Sequence, residues 1–238
     1  MTDPEAIHLH PTAPLAERVL LPGDPGRALR LAQSLLDGPA MFNHNRGLWG
    51  YTGTASDGRP LTIQSTGMGG PSAAIVIAEL SDLGARRLLR IGTCGALNPA
   101  LALGDLVVVT EAIPADGTSR ALGAKDRLSP DPELLAALLE AGRDRVHAGP
   151  VASTDLFYDG PDAQEQAWIG SGAVAVEMET ATLFALARRR RLQAASLLLV
   201  SDVLLQERIR IASDALHAGE ERLGDLAARA LAATTVSA

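Results

Sequence analysis

The chain has 238 residues, 47% hydrophobic and only 3% aromatic, so its core is built from Leu, Ala, Val and Ile and each aromatic side chain stands out. A formal net charge of −7 weighs against a nucleic-acid partner, whose binding is driven by clustered basic charge, yet leaves room for a local pocket that takes a small anion. The lone cysteine, Cys94, excludes an internal disulfide and points to a reducing cytoplasm; the lone lysine, Lys125, lies in the polar stretch "GAKDRLSPDPE", which argues against Schiff-base chemistry and a P-loop.

The opening "MTDPEAIHLHPT" is acidic and lacks the basic and apolar regions of a signal peptide. No span approaches the roughly 18 uninterrupted apolar residues of a membrane helix. From there, short β-rich runs alternate with helical stretches. "RVLL" precedes a turn and a helix from about Gly26, and "LTIQSTG" precedes a helix opening at Pro71. The runs "LLRIGT", "DLVVVTEAI", "GPVAST", "AVAVEM" and "ASLLLVSD" read as further strands. Helical periodicity is clearest in "SAAIVIAELSDLG", "PELLAALLEAGRD", "METATLFALARRRR" and "SDALHAGEERLGDLAARALAA". The alternation predicts one α/β domain over residues 1–238 around a largely parallel sheet.

In such folds ligands collect at the carboxyl ends of strands. "LPGDPGRALRLA" sets a tight turn ahead of a helix with Arg27 in its first turn, which is either an anion site or a solvated arginine. "QSTGMGGPSAAIVIAEL" resembles a dinucleotide fingerprint, but its sixth position is Ser72 and the next strand carries Arg90 where a ribose-binding acid belongs, so NAD is disfavoured. In "LLRIGTCGALN", Arg90 sits amid apolar residues and needs either an anion or a structural carboxylate partner. With Arg27 and the Thr93 hydroxyl it would form a phosphate pocket. Cys94 reads as a small buried hydrophobe.

Phe157 and Tyr158 of "STDLFYDG" either stack on a heterocycle or pack in the core. "LLLVSDVLL" delivers Ser201-Asp202 to a strand end, where Asp202 serves as a proton donor or as a helix N-cap. The five histidines are scattered, with His8 and His10 the only close pair, and no metal site is expected. The run Arg188 to Arg191 reads as a solvated helix end that complements the dipole. "AVAVEMETATLF" carries Glu177 and Glu179 in apolar company, where carboxylates are seldom left without a partner.

The ordered motifs "LLPGDPGRA", "NRGLWGYTGT", "TGMGGPSAAI", "LRIGTCGA", "STDLFY", "VEMETATLF" and "VSD" resemble the nucleoside phosphorylase family that contains the hexameric bacterial purine nucleoside phosphorylases and the uridine phosphorylases. The resemblance implies a single α/β domain, with a twisted mixed β-sheet flanked by helices, assembled as a trimer of dimers in which one protomer completes its neighbour's site. It implies that Gly23, Arg27, Arg90 and Thr93 bind phosphate, with Arg46 reaching in from the adjacent subunit. It implies that Phe157, Met68, Glu177, Met178, Glu179 and Ser201 surround the nucleoside, with Phe157 at the base, Met178 at the sugar and Glu179 at the ribose hydroxyls. His8 would come from the neighbour toward the 5′-hydroxyl. Glu177, two residues from Glu179 on the same strand face, would support the clamp or the arginines around it.

No arginine stands in "DGPDAQEQAW", where the compared uridine phosphorylases read uracil, so a purine is favoured. Asp202 would then protonate N7, assisted by Arg208 or Arg210. The implied reaction is phosphorolysis of purine (deoxy)ribonucleosides to the free base and (deoxy)ribose 1-phosphate, with no cofactor, since phosphate is a substrate. Alternatives are uridine or 5′-methylthioadenosine phosphorolysis, hydrolysis by a nucleosidase, a non-catalytic nucleoside binder and, most remote, an NAD-dependent redox enzyme. No membrane partner is expected.

Overall fold

A computed structural model describes residues 6–205 and 208–234; the acidic opening at residues 1–5 lies outside that range. In chain order the elements are β1 (Arg18–Leu21), α1 (Pro25–Leu35), β2 (Asp37–Asn43), β3 (Gly50–Thr54), β4 (Pro60–Gln64), α2 (Gly70–Asp82), β5 (Arg87–Ala96), β6 (Leu106–Pro114), α3 (Gly117–Ala121), α4 (Pro132–Gly142), β7 (His147–Ser153), α5 (Asp162–Gly170), β8 (Ala175–Glu177), α6 (Thr180–Arg190), β9 (Gln193–Val203), β10 (Ile209–Arg210) and α7 (Ser213–Ala233). Among the described residues no helix is long and apolar enough to cross a membrane.

The strands form one sheet in the order β10-β9-β6-β7-β8-β5-β1-β4-β3-β2, with β9 also paired to β5. That extra ladder closes β5, β9, β6, β7 and β8 into a ring, from which β1, β4, β3 and β2 extend as an open wing. The sheet is mixed rather than largely parallel. β1–β4, β1–β5, β5–β9, β6–β7 and β7–β8 run parallel, whereas β2–β3, β3–β4, β5–β8, β6–β9 and β9–β10 run antiparallel. The physical reason lies in the connections: β2, β3 and β4 follow one another through short turns, and strands joined that way must reverse direction. β2 escaped the sequence reading because its first five residues are exposed, so "DGPAM" carries no apolar alternation.

Two apolar layers sandwich this sheet. On one face α2 and α6 pack through Val76, Ile77, Leu80, Leu183 and Phe184; on the other, α1, α4 and α7 pack through Leu31, Leu134, Leu138, Leu223 and Leu226. Helix α6 is buried from Thr180 to Ala187 and ends at Arg191 in the left-handed region, leaving Arg188, Arg189 and Arg190 in its last turn, as a cationic helix end should be. It starts at Thr180, two residues beyond Met178, because the Glu177 carboxylate accepts the free N–H groups of Glu179 and Thr180 at 3.0 Å.

Candidate active site

The loops that follow β1 and β4 lie against each other backbone to backbone. Thr66 N–H donates to Pro22 O at 2.9 Å and Gly67 N–H to Gly23 O at 3.0 Å, prolonging the β1–β4 ladder into the turns. A Cβ at Gly23 would stand 3.1 Å from Gly67 O, and Gly67 has φ +74°, so both positions need glycine for this approach. Asp24 caps α1 by accepting from Arg27 N, and Pro25 occupies the first turn, which aims the start of α1 at this junction.

Arg90 is the centre of the site. Its guanidinium folds back along β5 over Gly92, where a Cβ would stand only 2.5 Å from Nη2. Nε donates to Glu177 Oε2 at 2.9 Å, and Nη2 reaches Glu179 Oε2 at 2.5 Å. Of the two alternatives for Arg90, the structural carboxylate partner is therefore present, and it is double. A guanidinium has five N–H donors, so two such bonds leave three for an anion. The two carboxylates converge on Arg90 even though β8 ends at Glu177, so their common direction comes from the strand-to-helix turn and not from strand alternation alone.

Glu177 and Glu179 differ in what remains open. The Glu177 side chain is fully buried and also accepts from Ser153 Oγ and the first N–H groups of α6, so no lone pair faces solvent and it acts as a hub rather than a ligand group. Glu179 accepts from Gly69 N at 2.5 Å and from Arg90, which leaves capacity on a carboxylate with about four lone-pair sites. Burial pushes the Glu179 carboxyl above its ordinary range, and the Arg90 charge only partly offsets that. A void lined by Leu21, Thr66, Ala73, Arg90 and Glu179 lies beside the pair.

Arg27 is buried and held at the same junction by a residue the sequence reading did not single out. Its Nε donates to Glu220 Oε1 at 2.8 Å and its Nη1 to Ile91 O at 3.3 Å, while Glu220 Oε2 also takes Arg30 Nη2 at 2.5 Å. Glu220 was detectable in principle: it sits four residues after Leu216 and three before Leu223, on the apolar stripe of α7. Thr93 is half-buried further along β5.

At the other end of the site β5 lies between two partners. Gly95 pairs with Val176 of β8 on one side and with Asp202 of β9 on the other, so the Glu177 and Asp202 strand ends flank one β5 terminus. Asp202 is 3% exposed; Ser201 Oγ donates to its Oδ2 at 2.8 Å and Arg208 Nε to its Oδ1 at 3.0 Å. Between the two rival arginines the geometry chooses Arg208. Arg210 pairs with Asp202 only through the backbone of β10, and its side chain is exposed. Asp202 is not a helix N-cap, since β9 runs on through Val203.

The Arg208 guanidinium also lies 4.2 Å over the Phe157 ring, which meets Tyr158 edge to face. Both rings are exposed, Phe157 at 45% and Tyr158 at 70%, so neither packs in the core. Met178 is half-buried and Met68 is 86% exposed, directly before the Gly69 N–H that binds Glu179. Two of the named residues do not join this cluster within the chain. His8 contacts Glu79 through Nδ1 at 2.7 Å, and Arg46 is exposed in a tight turn with φ 56°. Cys94 is buried behind the site, and burial pushes its thiol far above the ordinary range, as an inert core residue requires.

A family model described as the phosphorylase superfamily matches residues 17–236. The chain belongs to that superfamily. It is 41% identical over 193 residues to a guanosine phosphorylase of Halorubrum lacusprofundi, covering 79% of each chain. It is 39% identical over 226 residues to a DeoD-type purine nucleoside phosphorylase of Roseobacter denitrificans, covering 92% of this chain and 94% of that one. Its fold matches a solved uridine phosphorylase of Vibrio fischeri with a TM-score of 0.81 at 29% identity, over 91% of each chain. Every site residue described above lies inside the matched span except His8, which precedes it.

Proposed function

We propose that this phosphorylase cleaves purine ribo- and deoxyribonucleosides with inorganic phosphate, releasing the free base and the pentose 1-phosphate, and requires no cofactor. The observation that carries the reading is the buried Asp202 held by Arg208 at the end of β9, beside an exposed aromatic ring and on the same β5 terminus as the arginine-carboxylate cluster. Relatives named guanosine or purine nucleoside phosphorylase, at 38–41% identity, support the purine choice.

In this mechanism Gly23, Arg27, Arg90 and Thr93 hold phosphate below the sugar. A phosphate oxygen forms the bond to C1′ as the bond from C1′ to N9 breaks. Glu179 accepts the 2′- and 3′-hydroxyls and stabilises the positive charge that builds on the ribose, an interaction strongest in the transition state. Asp202 transfers its proton to N7, so the base leaves neutral, and Arg208 stabilises the carboxylate left behind. Phe157 stacks on the base, Met68 and Met178 line the nucleoside, and Ser201 holds Asp202. Arg46 and His8 act on the site of an adjacent subunit in a cytoplasmic homo-oligomer, a hexamer built as a trimer of dimers. Exposed Ile7, Trp49 and Met68 are apolar surface consistent with such contacts.

The test is release of base from inosine, guanosine, adenosine and uridine with and without phosphate. Purine release that requires phosphate is expected. Release without phosphate would replace the reading with a nucleosidase, and activity on uridine alone would replace the purine by a pyrimidine.

A further inference from the structure

His8 and Arg46 are 38 positions apart in sequence, yet the fold seats them on one platform. Asn45 Nδ2 donates to His8 O at 2.9 Å, and His10 N–H donates to Asn43 Oδ1 at 2.9 Å, which ties the segment around His8 to the turn that carries Arg46. Underneath that segment lies Glu79, near the end of α2, which none of the readings above has used. Its carboxylate accepts Ile7 N–H at 3.2 Å, His8 N–H at 3.0 Å and Leu9 N–H at 2.7 Å, together with the His8 ring at Nδ1. A single side chain thus gathers three successive backbone donors and one ring donor, an arrangement in which an anion fixes a backbone path. Burial pushes the Glu79 carboxyl up, but the His8 ring and the N–H groups of Leu9 and His8 outweigh it, so the group stays ionised.

We infer that Glu79 is a positioning residue for the sugar site: it holds the His8 ring through Nδ1 and so turns Nε2 toward the nucleoside 5′-hydroxyl. The carboxylate fixes which edge of the ring is used, because the nitrogen that faces Glu79 donates there and Nε2 is the nitrogen left for the sugar. Among the described residues Nε2 makes no hydrogen bond. The inference rests on His8 reading the 5′-hydroxyl, as proposed above, and Glu79 itself touches neither substrate nor phosphate.

The experiment compares kcat/KM for inosine and 5′-deoxyinosine in the full-length enzyme, its Glu79→Gln and His8→Ala variants and the double variant. In the wild-type enzyme the 5′-hydroxyl should improve kcat/KM by roughly 5- to 10-fold, the worth of one neutral hydrogen bond. Glu79→Gln places an NH2 group against backbone donors, so it should erase that preference through KM, leave 5′-deoxyinosine unchanged, and add nothing to His8→Ala. If His8→Ala keeps the preference, the reading of His8 itself fails. If His8→Ala loses it and Glu79→Gln keeps it, or if Glu79→Gln lowers both substrates equally, the positioning role of Glu79 is overturned. A measurement on the unmodified enzyme stands independently of how the variants fold: ring ¹⁵N shifts should show His8 Nδ1 protonated, and an Nδ1 without its proton would overturn the inference.

Discussion

The arginine-carboxylate end of the site, proposed to hold phosphate, and the aromatic end, proposed to hold the base, are built on opposite principles. Around Arg90 every charged group is buried and bonded: Glu177, Glu179, Arg27 and Glu220 are each at or below 6% exposure and interlock through hydrogen bonds. Around Phe157 the rings stand in solvent, and the contacts are one ring edge and one guanidinium face. Phosphate is the same in every turnover and the pentose differs by one hydroxyl between the proposed substrates, so a rigid, preorganised frame suits them. The base varies among the proposed substrates and must enter and leave, which the exposed, loosely held end suits.

Replacement of a central charge should separate the two ends most. Arg90→Met leaves Glu177 and Glu179 buried without their cation and should cost about 3–5 kcal/mol in urea unfolding at fixed protein concentration. Glu220→Gln keeps the shape but removes the charge that holds Arg27 and Arg30, and should raise KM for phosphate about 10-fold with little change in KM for nucleoside. A nucleoside effect of equal size would mean the frame is not divided as described. Phe157→Ala should act at the other end only, raising KM for purine nucleoside a few-fold, in line with about 1 kcal/mol for a ring contact, with phosphate KM unchanged. The smallest signal is at Cys94: its buried thiol, raised by burial, should resist a disulfide reagent in the folded enzyme and react fully in urea, since only the thiolate attacks.

Much of the parallel core was legible because its strands are unbroken apolar runs followed by glycine, arginine or acid. "SDALHAGEERLGDLAARALAA" coincides with α7 because its apolar stripe repeats at helical spacing over 21 residues. In the wing, β1 and β4 were legible as "RVLL" and "LTIQSTG", but β2 and β3 were not, since exposed β2 carries no apolar alternation. Within the site, the residue types at strand ends were visible, but their pairing was not: that Arg90 is shared by two glutamates, and that Arg208 rather than Arg210 meets Asp202, depends on a ring of strands closed by the β5–β9 ladder. Glu79 was hidden for the same reason, being one acid on a helix until a distant histidine is folded onto it, whereas Glu220 left a trace as an acid on the apolar stripe of α7.

The most direct test is one number, the kcat of Asp202→Asn for inosine at saturating phosphate. Asparagine keeps the shape and the Ser201 contact but has no proton to transfer to N7. A fall of about 10²- to 10⁴-fold, with phosphate KM unaltered, is predicted for the loss of a general acid. A variant that turns over inosine at the wild-type rate would contradict the assignment of the leaving-group proton to Asp202 and with it the division of labour between the two ends.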